Sequence, residues 1–98
     1  MAIALVMEFS GVGSAEYDGA LRELDLDNNP ADGALLHLAG PSLDGSWRVV
    51  DVWESQAKFD TFYHDRLSSA LQNNGFVNRP KIAVFELHNS LTAAGPLH

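Results

Sequence analysis

Near the middle of the chain a strand pattern stops and a helix pattern starts, with almost no connecting residues between them. Residues Trp47–Trp53 are rich in the aromatic and β-branched residues that favour strands. A helical pattern begins at Ser55 and runs to about Gln72, with Phe59 and Phe62 at the spacing of one helix face. The junction therefore predicts a strand followed directly by a helix. A chain of 98 residues can adopt only a limited number of folds that contain such a unit.

The other segments continue the alternation of strands and helices. Turn-forming residues at Gly40–Gly45 predict a hairpin into the Trp47–Trp53 strand. The remaining predicted elements are strands at Ala2–Phe9, Ala34–Ala39 and Lys81–His88, and a helix from an N-cap at Ser14 to near Leu26. The order strand, helix, strand, strand, helix, strand predicts an α+β fold, the ferredoxin-like β-α-β-β-α-β arrangement with an antiparallel sheet.

The first strand is apolar on both sides. Ile3, Leu5 and Met7 share one side, and Ala4 and Val6 share the other. In the ferredoxin-like arrangement the first and third strands are central and both helices cover one face, so the other face needs a separate cover. We therefore expect a homodimer in which two sheets pack face to face.

Length and hydropathy predict one domain. A chain of 98 residues has room for one core, which we expect to span residues 1–90, with residues 91–98 as a loose C-terminal tail. No apolar run approaches the roughly 20 residues that cross a bilayer. No basic segment precedes the apolar residues of the first strand, so a secretory signal is not expected. These patterns predict a cytoplasmic protein without a membrane partner.

Charge and cysteine content exclude several classes of function. Thirteen acidic residues against six basic ones give a net charge of −7, and the basic residues are scattered, so we expect no nucleic acid partner. The chain has no cysteine, which excludes disulfides, thiolate nucleophiles and cysteine-ligated metals. His37, His64 and His88 lack the short regular spacing of a zinc site. We predict neither a metal nor a cofactor.

Three polar side chains lie within or beside positions where the pattern predicts apolar residues. Arg66 falls within the apolar arc of the second helix, where it either extends to solvent, pairs with an acid or works in a pocket. His64 flanks the same arc one turn after Asp60, and the two form either a general base or an ordinary surface pair. Asp51 lies on the apolar side of its strand, as a base, an anchor for Arg66 or one half of a buried ion pair. We take His64, Arg66 and Asp51 as the candidate catalytic residues.

Four aromatic side chains cluster around the junction of strand and helix. Trp53 could stack on a flat ligand, and Phe59, Phe62 and Tyr63 could line the same pocket. Their spacing is equally that of an ordinary core. They are the candidate substrate-binding residues, with core packing as the alternative.

The stretch of residues 47–62 resembles the antibiotic-biosynthesis-monooxygenase group of dimeric α+β barrels. The resemblance implies a homodimer and a cofactor-independent monooxygenase. Its small-molecule substrate would be a phenolic or polyketide-like aromatic compound held between sheet and helices. In such chemistry His64 or Asp51 would be the base, and Arg66 would stabilise the substrate anion.

The haem-degrading members of that group carry a tryptophan and a histidine in the second helix, where this chain has Phe62 and Gln72. The resemblance therefore implies no haem. The alternative to an enzyme is a non-catalytic dimeric module that binds a ligand or a partner protein. Convergence of Asp51, His64 and Arg66 on one cavity would favour the enzyme, and their separation would favour the module.

Overall fold

The computed structural model describes residues 1–97. His98, the last residue of the predicted tail, lies outside the described residues. The elements in chain order are β1 (Ile3–Phe9), α1 (Ser14–Leu24), β2 (Ala34–Pro41), β3 (Trp47–Trp53), α2 (Gln56–Phe62), a π-helical turn (Tyr63–Leu67), α3 (Ser68–Asn73) and β4 (Lys81–Glu86).

The four strands form one antiparallel sheet in the order β2-β3-β1-β4. The element order and the strand order confirm the predicted ferredoxin-like fold, with β1 and β3 in the centre. Leu5 of β1 lies opposite Asp51 of β3 and Val84 of β4. These three residues share one face, because side chains alternate between the two faces along each strand.

The face that holds Leu5 packs against the helices, and we call it the inner face. The opposite face is the outer face. Leu5 is fully buried. The buried core consists of Ile3, Leu5, Met7, Phe9, Trp47, Val49 and Trp53 from the sheet, with Ala20, Phe59, Leu71 and Phe76 packed on it. Burial of a large apolar side chain stabilises a fold by about 1.5–3 kcal/mol, so the inner face supplies much of the driving force for folding.

Helix α1 differs from the prediction at both ends. The predicted N-cap at Ser14 is wrong, because Gly13 is the N-cap and its N–H donates to Glu16 Oε1 at 2.6 Å. The helix ends at Leu24, since Asp25 adopts the left-handed conformation with a φ of 50°. A residue in that conformation ends a helix, and this one does so before the predicted end near Leu26.

The second helical segment is interrupted where the sequence predicts one continuous helix. Ser55 caps it, with Oγ accepting from the Lys58 N–H at 3.1 Å. At the π-helical turn the Ser68 N–H donates to the carbonyl of Tyr63, five residues earlier. Side chains in and after such a turn no longer follow the angular spacing of an α-helix, and π turns are frequent at functional sites. A helical wheel therefore misplaces the side chains of residues 63–67.

Two strands end at residues other than those predicted. Strand β2 extends to Pro41, and an irregularity between Ala34 and Leu36 shifts its register against β3. Strand β4 ends at Glu86 instead of His88. The hairpin between β2 and β3 forms as predicted.

Residues 87–97 contain neither helix nor strand. Thr92 and Gly95 hydrogen-bond to each other through their backbones, and the Leu97 N–H donates to Ser90 Oγ at 3.0 Å. The division into a domain of residues 1–90 and a tail stays a prediction. Among residues 1–97 we find no helix whose length and apolar character would let it cross a bilayer.

Gly33 and Gly45 provide a matched pair for testing how the start of β2 is packed. Both have positive φ, 92° and 89°, but a Cβ on Gly33 would lie 2.9 Å from Lys58 Cβ, whereas a Cβ on Gly45 would meet open space. We expect Gly45→Ala to lower the free energy of unfolding by about 1 kcal/mol through backbone strain, and Gly33→Ala by about 2–3 kcal/mol through strain plus overpacking. Urea unfolding measures both, and equal losses would contradict the close approach of Gly33 to α2.

Candidate functional site

A cavity of about 90 Å³ lies between the inner face of the sheet and the helices. Most of its lining is apolar, with contributions from Met7, Val49, Trp53, Leu21, Leu24, Phe62 and Leu71. Tyr17, His37 and Asp51 add polar groups to this lining. The cavity is therefore an apolar space that contacts a small set of polar side chains.

Asp51 is the buried charged residue of this site, with 6% of its surface exposed. Alternation along β3 places it on the inner face between Val49 and Trp53. Its Oδ2 accepts from Trp53 Nε1 at 3.1 Å, and its Oδ1 lies 2.6 Å from His37 Nδ1. Both carboxylate oxygens are thus hydrogen-bonded, as a buried carboxylate requires.

His37 links Asp51 to helix α1. Strand pairing puts His37 directly opposite Asp51, and the other ring nitrogen, Nε2, lies 2.5 Å from Tyr17 Oη. The rings of Tyr17 and His37 are stacked, with their planes 3° apart and their centroids 5.9 Å apart. The His37 side chain is 42% exposed. A chain of hydrogen bonds therefore runs from the buried carboxylate to the protein surface.

The direction of these hydrogen bonds follows from the donors and acceptors. The Trp53 indole can only donate, so Asp51 Oδ2 accepts. An ionised Asp51 also accepts at Oδ1, which places a hydrogen on His37 Nδ1 and leaves Nε2 to accept from the Tyr17 hydroxyl. Burial raises the pKa of Tyr17 above its ordinary value of 10.0, and the negative charges of Asp51 and Asp18 raise that pKa further. Tyr17 therefore keeps its proton at neutral pH.

The four aromatic side chains expected at the site lie at different depths. Trp53 and Phe62 line the cavity, with ring centroids 5.3 Å apart. Phe59 is 3% exposed and packs edge-on against Trp53 at 5.5 Å, away from the cavity surface. Tyr63 contacts Phe59 and lines a separate groove next to α3. Of the four, Trp53 and Phe62 can touch a ligand in the cavity.

His64 lies outside the cavity lining. Its side chain is 89% exposed, and its Nδ1 lies 2.8 Å from Asp65 Oδ1. The expected pairing with Asp60 is wrong, since Asp60 Oδ1 accepts from Gln56 Nε2 at 3.1 Å. The catalytic role of His64 stays a prediction that its location does not favour.

Arg66 binds backbone rather than a carboxylate. Its guanidinium donates to the carbonyls of Pro30 at 3.1 Å, Leu24 at 3.0 Å and Asn29 at 2.7 Å, and it lies 5.3 Å from the ring centroid of Phe62. The expected contact with Asp51 is not formed. Arg66 ties the end of α1 and the following loop to the π-helical turn, and it is not part of the cavity lining.

The structure thus brings Asp51, Trp53 and Phe62 to one cavity and leaves His64 and Arg66 outside it. The separation of Asp51, His64 and Arg66 by itself favours the non-catalytic module. An enzyme would have to use the polar groups that do share the cavity with Asp51, which are His37 and Tyr17. His37 and Tyr17, which complete the hydrogen-bonded chain, were missing from the sequence-based candidates. The sequence pattern did not place His37 opposite Asp51, because that pairing needs a hairpin centred on residue 44, whereas the predicted turn at Gly40–Gly45 is centred between residues 42 and 43. Within residues 1–97, no three histidine or acidic side chains are grouped closely enough to hold a metal ion.

Comparisons with known proteins find similarity at the level of structure. No family model and no curated protein matches the sequence. NE2512, a protein of unknown function from Nitrosomonas europaea, is 22% identical with a TM-score of 0.70 and covers 96% of each chain. SnoaB, a cofactor-independent oxygenase from Streptomyces nogalater, is 16% identical with a TM-score of 0.65, covering 92% of this chain and 96% of that one. A provisionally named antibiotic biosynthesis monooxygenase from Chloroflexus aurantiacus is 9% identical with a TM-score of 0.67, covering 94% of this chain and 98% of that one.

At these identities the likeness concerns the fold. The chain shares the α+β fold of antibiotic biosynthesis monooxygenases over nearly its whole length. The resemblance found in residues 47–62 is confirmed at that level.

Arg66→Ala tests whether Arg66 is a structural residue. We expect it to lower the free energy of unfolding by about 2 kcal/mol, because charge-assisted hydrogen bonds to three carbonyls are lost. Arg66→Lys should recover only part of the loss, since an ammonium group lacks the planar fork of donors. Arg79→Ala, at an exposed arginine, is the control and should leave unfolding unchanged. An unchanged stability of Arg66→Ala in thermal or urea unfolding would contradict the assignment.

Proposed function

We propose that this protein binds a phenol or hydroquinone in the cavity between sheet and helices and oxidises it with dioxygen, without a bound cofactor. The main observation is an apolar cavity that contacts one buried carboxylate, Asp51. Small-molecule sites are mostly apolar with a few placed polar groups. The shared fold with SnoaB, a cofactor-independent oxygenase, supports this reaction class.

In this chemistry the substrate itself supplies the electrons. Loss of the hydroxyl proton makes the ring electron-rich enough to reduce dioxygen. One oxygen atom then bonds to a ring carbon, the other leaves as water with the displaced hydrogens, and the phenol becomes a quinone. The protein has to take up a proton, stabilise the anion and exclude water. Asp51 with His37 provides the proton acceptor, and Trp53 and Phe62 stack on the ring.

The size of the cavity favours a small substrate. Pockets for drug-sized ligands measure roughly 300–1,000 Å³. The volume here is about 90 Å³. We therefore propose a substrate with a single ring, since a polyketide-like ring system would require α1 to move away from the sheet.

We also propose that the protein is a homodimer that pairs through the outer face. Ala4, Val6, Val50 and Val52 lie on this face in the two central strands, where Ala4 and Val52 are buried within the single chain and Val6 and Val50 are half-buried. Leu38 of β2 is 55% exposed and Phe85 of β4 is 57% exposed on the same side. Exposed apolar side chains such as Leu38 and Phe85 favour association, and a second copy of the same face would offer apolar partners to them.

Phe85→Asp tests the homodimer. A charge within an apolar interface is desolvated without a partner, so we expect the dimer to weaken by at least about tenfold in sedimentation equilibrium. Val77→Asp is the control, because Val77 is 87% exposed and lies outside the sheet, and it should leave association unchanged. A wild-type protein that sediments as a monomer would contradict the proposal.

Oxygen uptake with single-ring phenols tests the reaction. We expect uptake with hydroquinone or a related electron-rich phenol, and a loss of at least about 100-fold in Asp51→Asn, because the carboxylate that supports proton uptake is gone. Asp27→Asn, at an exposed position in the loop after α1, is the matched control and should retain full uptake. Binding of phenols without uptake would support the non-catalytic module instead.

A further inference from the structure

Tyr17 is the residue of the hydrogen-bonded chain that both lines the cavity and bonds to His37. Resting on the proposed binding of a phenol in this cavity, we propose that Tyr17 is a catalytic residue that accepts the hydroxyl proton of the substrate while passing its own proton to His37. The substrate must then carry an ionisable hydroxyl group on the ring. An ether or other compound without that proton would bind without reacting.

Tyr17 is suited to this role because its hydroxyl is a donor to His37 Nε2 at 2.5 Å. With its hydrogen directed at His37, the oxygen retains lone pairs that can accept a hydrogen bond from a ligand. Tyr17 lines the cavity from α1, so a ligand can reach it. Asp51 is less accessible to a ligand than Tyr17, since Asp51 is 6% exposed and each carboxylate oxygen already accepts one hydrogen bond, from His37 or from Trp53.

The proton transfer balances within the chain. The substrate O–H bond breaks and a new O–H bond forms on Tyr17. The original Tyr17 O–H bond breaks and an N–H bond forms on His37 Nε2. The resulting imidazolium faces the Asp51 carboxylate at 2.6 Å, and Tyr17 remains a neutral phenol that donates to the new phenolate.

The surroundings of Tyr17 favour coupling of the two transfers. Burial raises the pKa of Tyr17, and the negative charges of Asp51 and Asp18 raise it further, so a tyrosinate is disfavoured. Tyr17 therefore cannot give up its proton first and wait for the substrate. The favourable path moves both protons together, and the positive charge ends on His37 beside Asp51.

The test uses 4-nitrophenol as a probe, because its phenolate absorbs visible light and its phenol form does not. We expect the bound probe to have a phenolate-to-phenol ratio about tenfold higher than the free probe at the same pH, since a nearby imidazolium favours the anion. Tyr17→Phe and His37→Gln should each abolish this increase. Both variants should bind 4-nitroanisole, the methyl ether without the proton, within about twofold of the wild type.

Each outcome bears on the proposal. A wild-type complex in which the probe stays un-ionised, or failure of both probes to bind, would overturn it. Ionisation that survives in Tyr17→Phe but not in His37→Gln would also overturn it, because His37 would then take the proton directly. Ionisation that depends on both residues, without oxygen uptake by any phenol, would support the proton transfer while refuting the oxygenase function. Circular dichroism of each variant checks that the fold is retained.

Discussion

The burial of the Asp51 carboxylate is the constraint on which the rest of the site depends. A buried charge costs several kcal/mol unless its oxygens are hydrogen-bonded. Trp53, two residues along the same strand, satisfies one oxygen, and His37 on the neighbouring strand satisfies the other. These bonds tie the edge strand β2 to the central strand β3. They also fix a carboxylate at the surface of an apolar cavity, so the same contacts join the two strands and shape the candidate site.

The position of α1 beside the cavity depends on a second set of contacts. These are the hydrogen bonds that Arg66 makes to the end of α1 and to the loop after it. Arg66 reaches three carbonyls of that loop and of the end of α1 from the π-helical turn. This contact ties the end of α1 to the π-helical turn, and the position of α1 determines where Tyr17 meets His37. A residue outside the cavity thus helps to define the cavity. The π-helical turn directs the Arg66 side chain toward these carbonyls instead of toward the core.

Part of the site was predictable from strand alternation. Asp51 was identified because it shares the apolar side of β3 with Trp53, and both line the cavity. His37 was not found, because its pairing with Asp51 depends on the exact register of the hairpin. Tyr17 was not found, because its contact with His37 depends on how α1 lies across the sheet. The placements expected for His64 and Arg66 followed a regular helical wheel, which the π-helical turn does not obey.

The sequence by itself determined the kinds of elements, their order and the apolar character of both sheet faces. These properties depend on local periodicity and on turn residues, which act over a few positions. The tertiary structure decided which polar side chains meet. Strand register and helix packing bring together His37, Asp51 and Tyr17. Arg66, in the π-helical turn, donates to backbone carbonyls. Contacts between distant parts of the chain depend on the packing of the whole fold, and no local pattern encodes them.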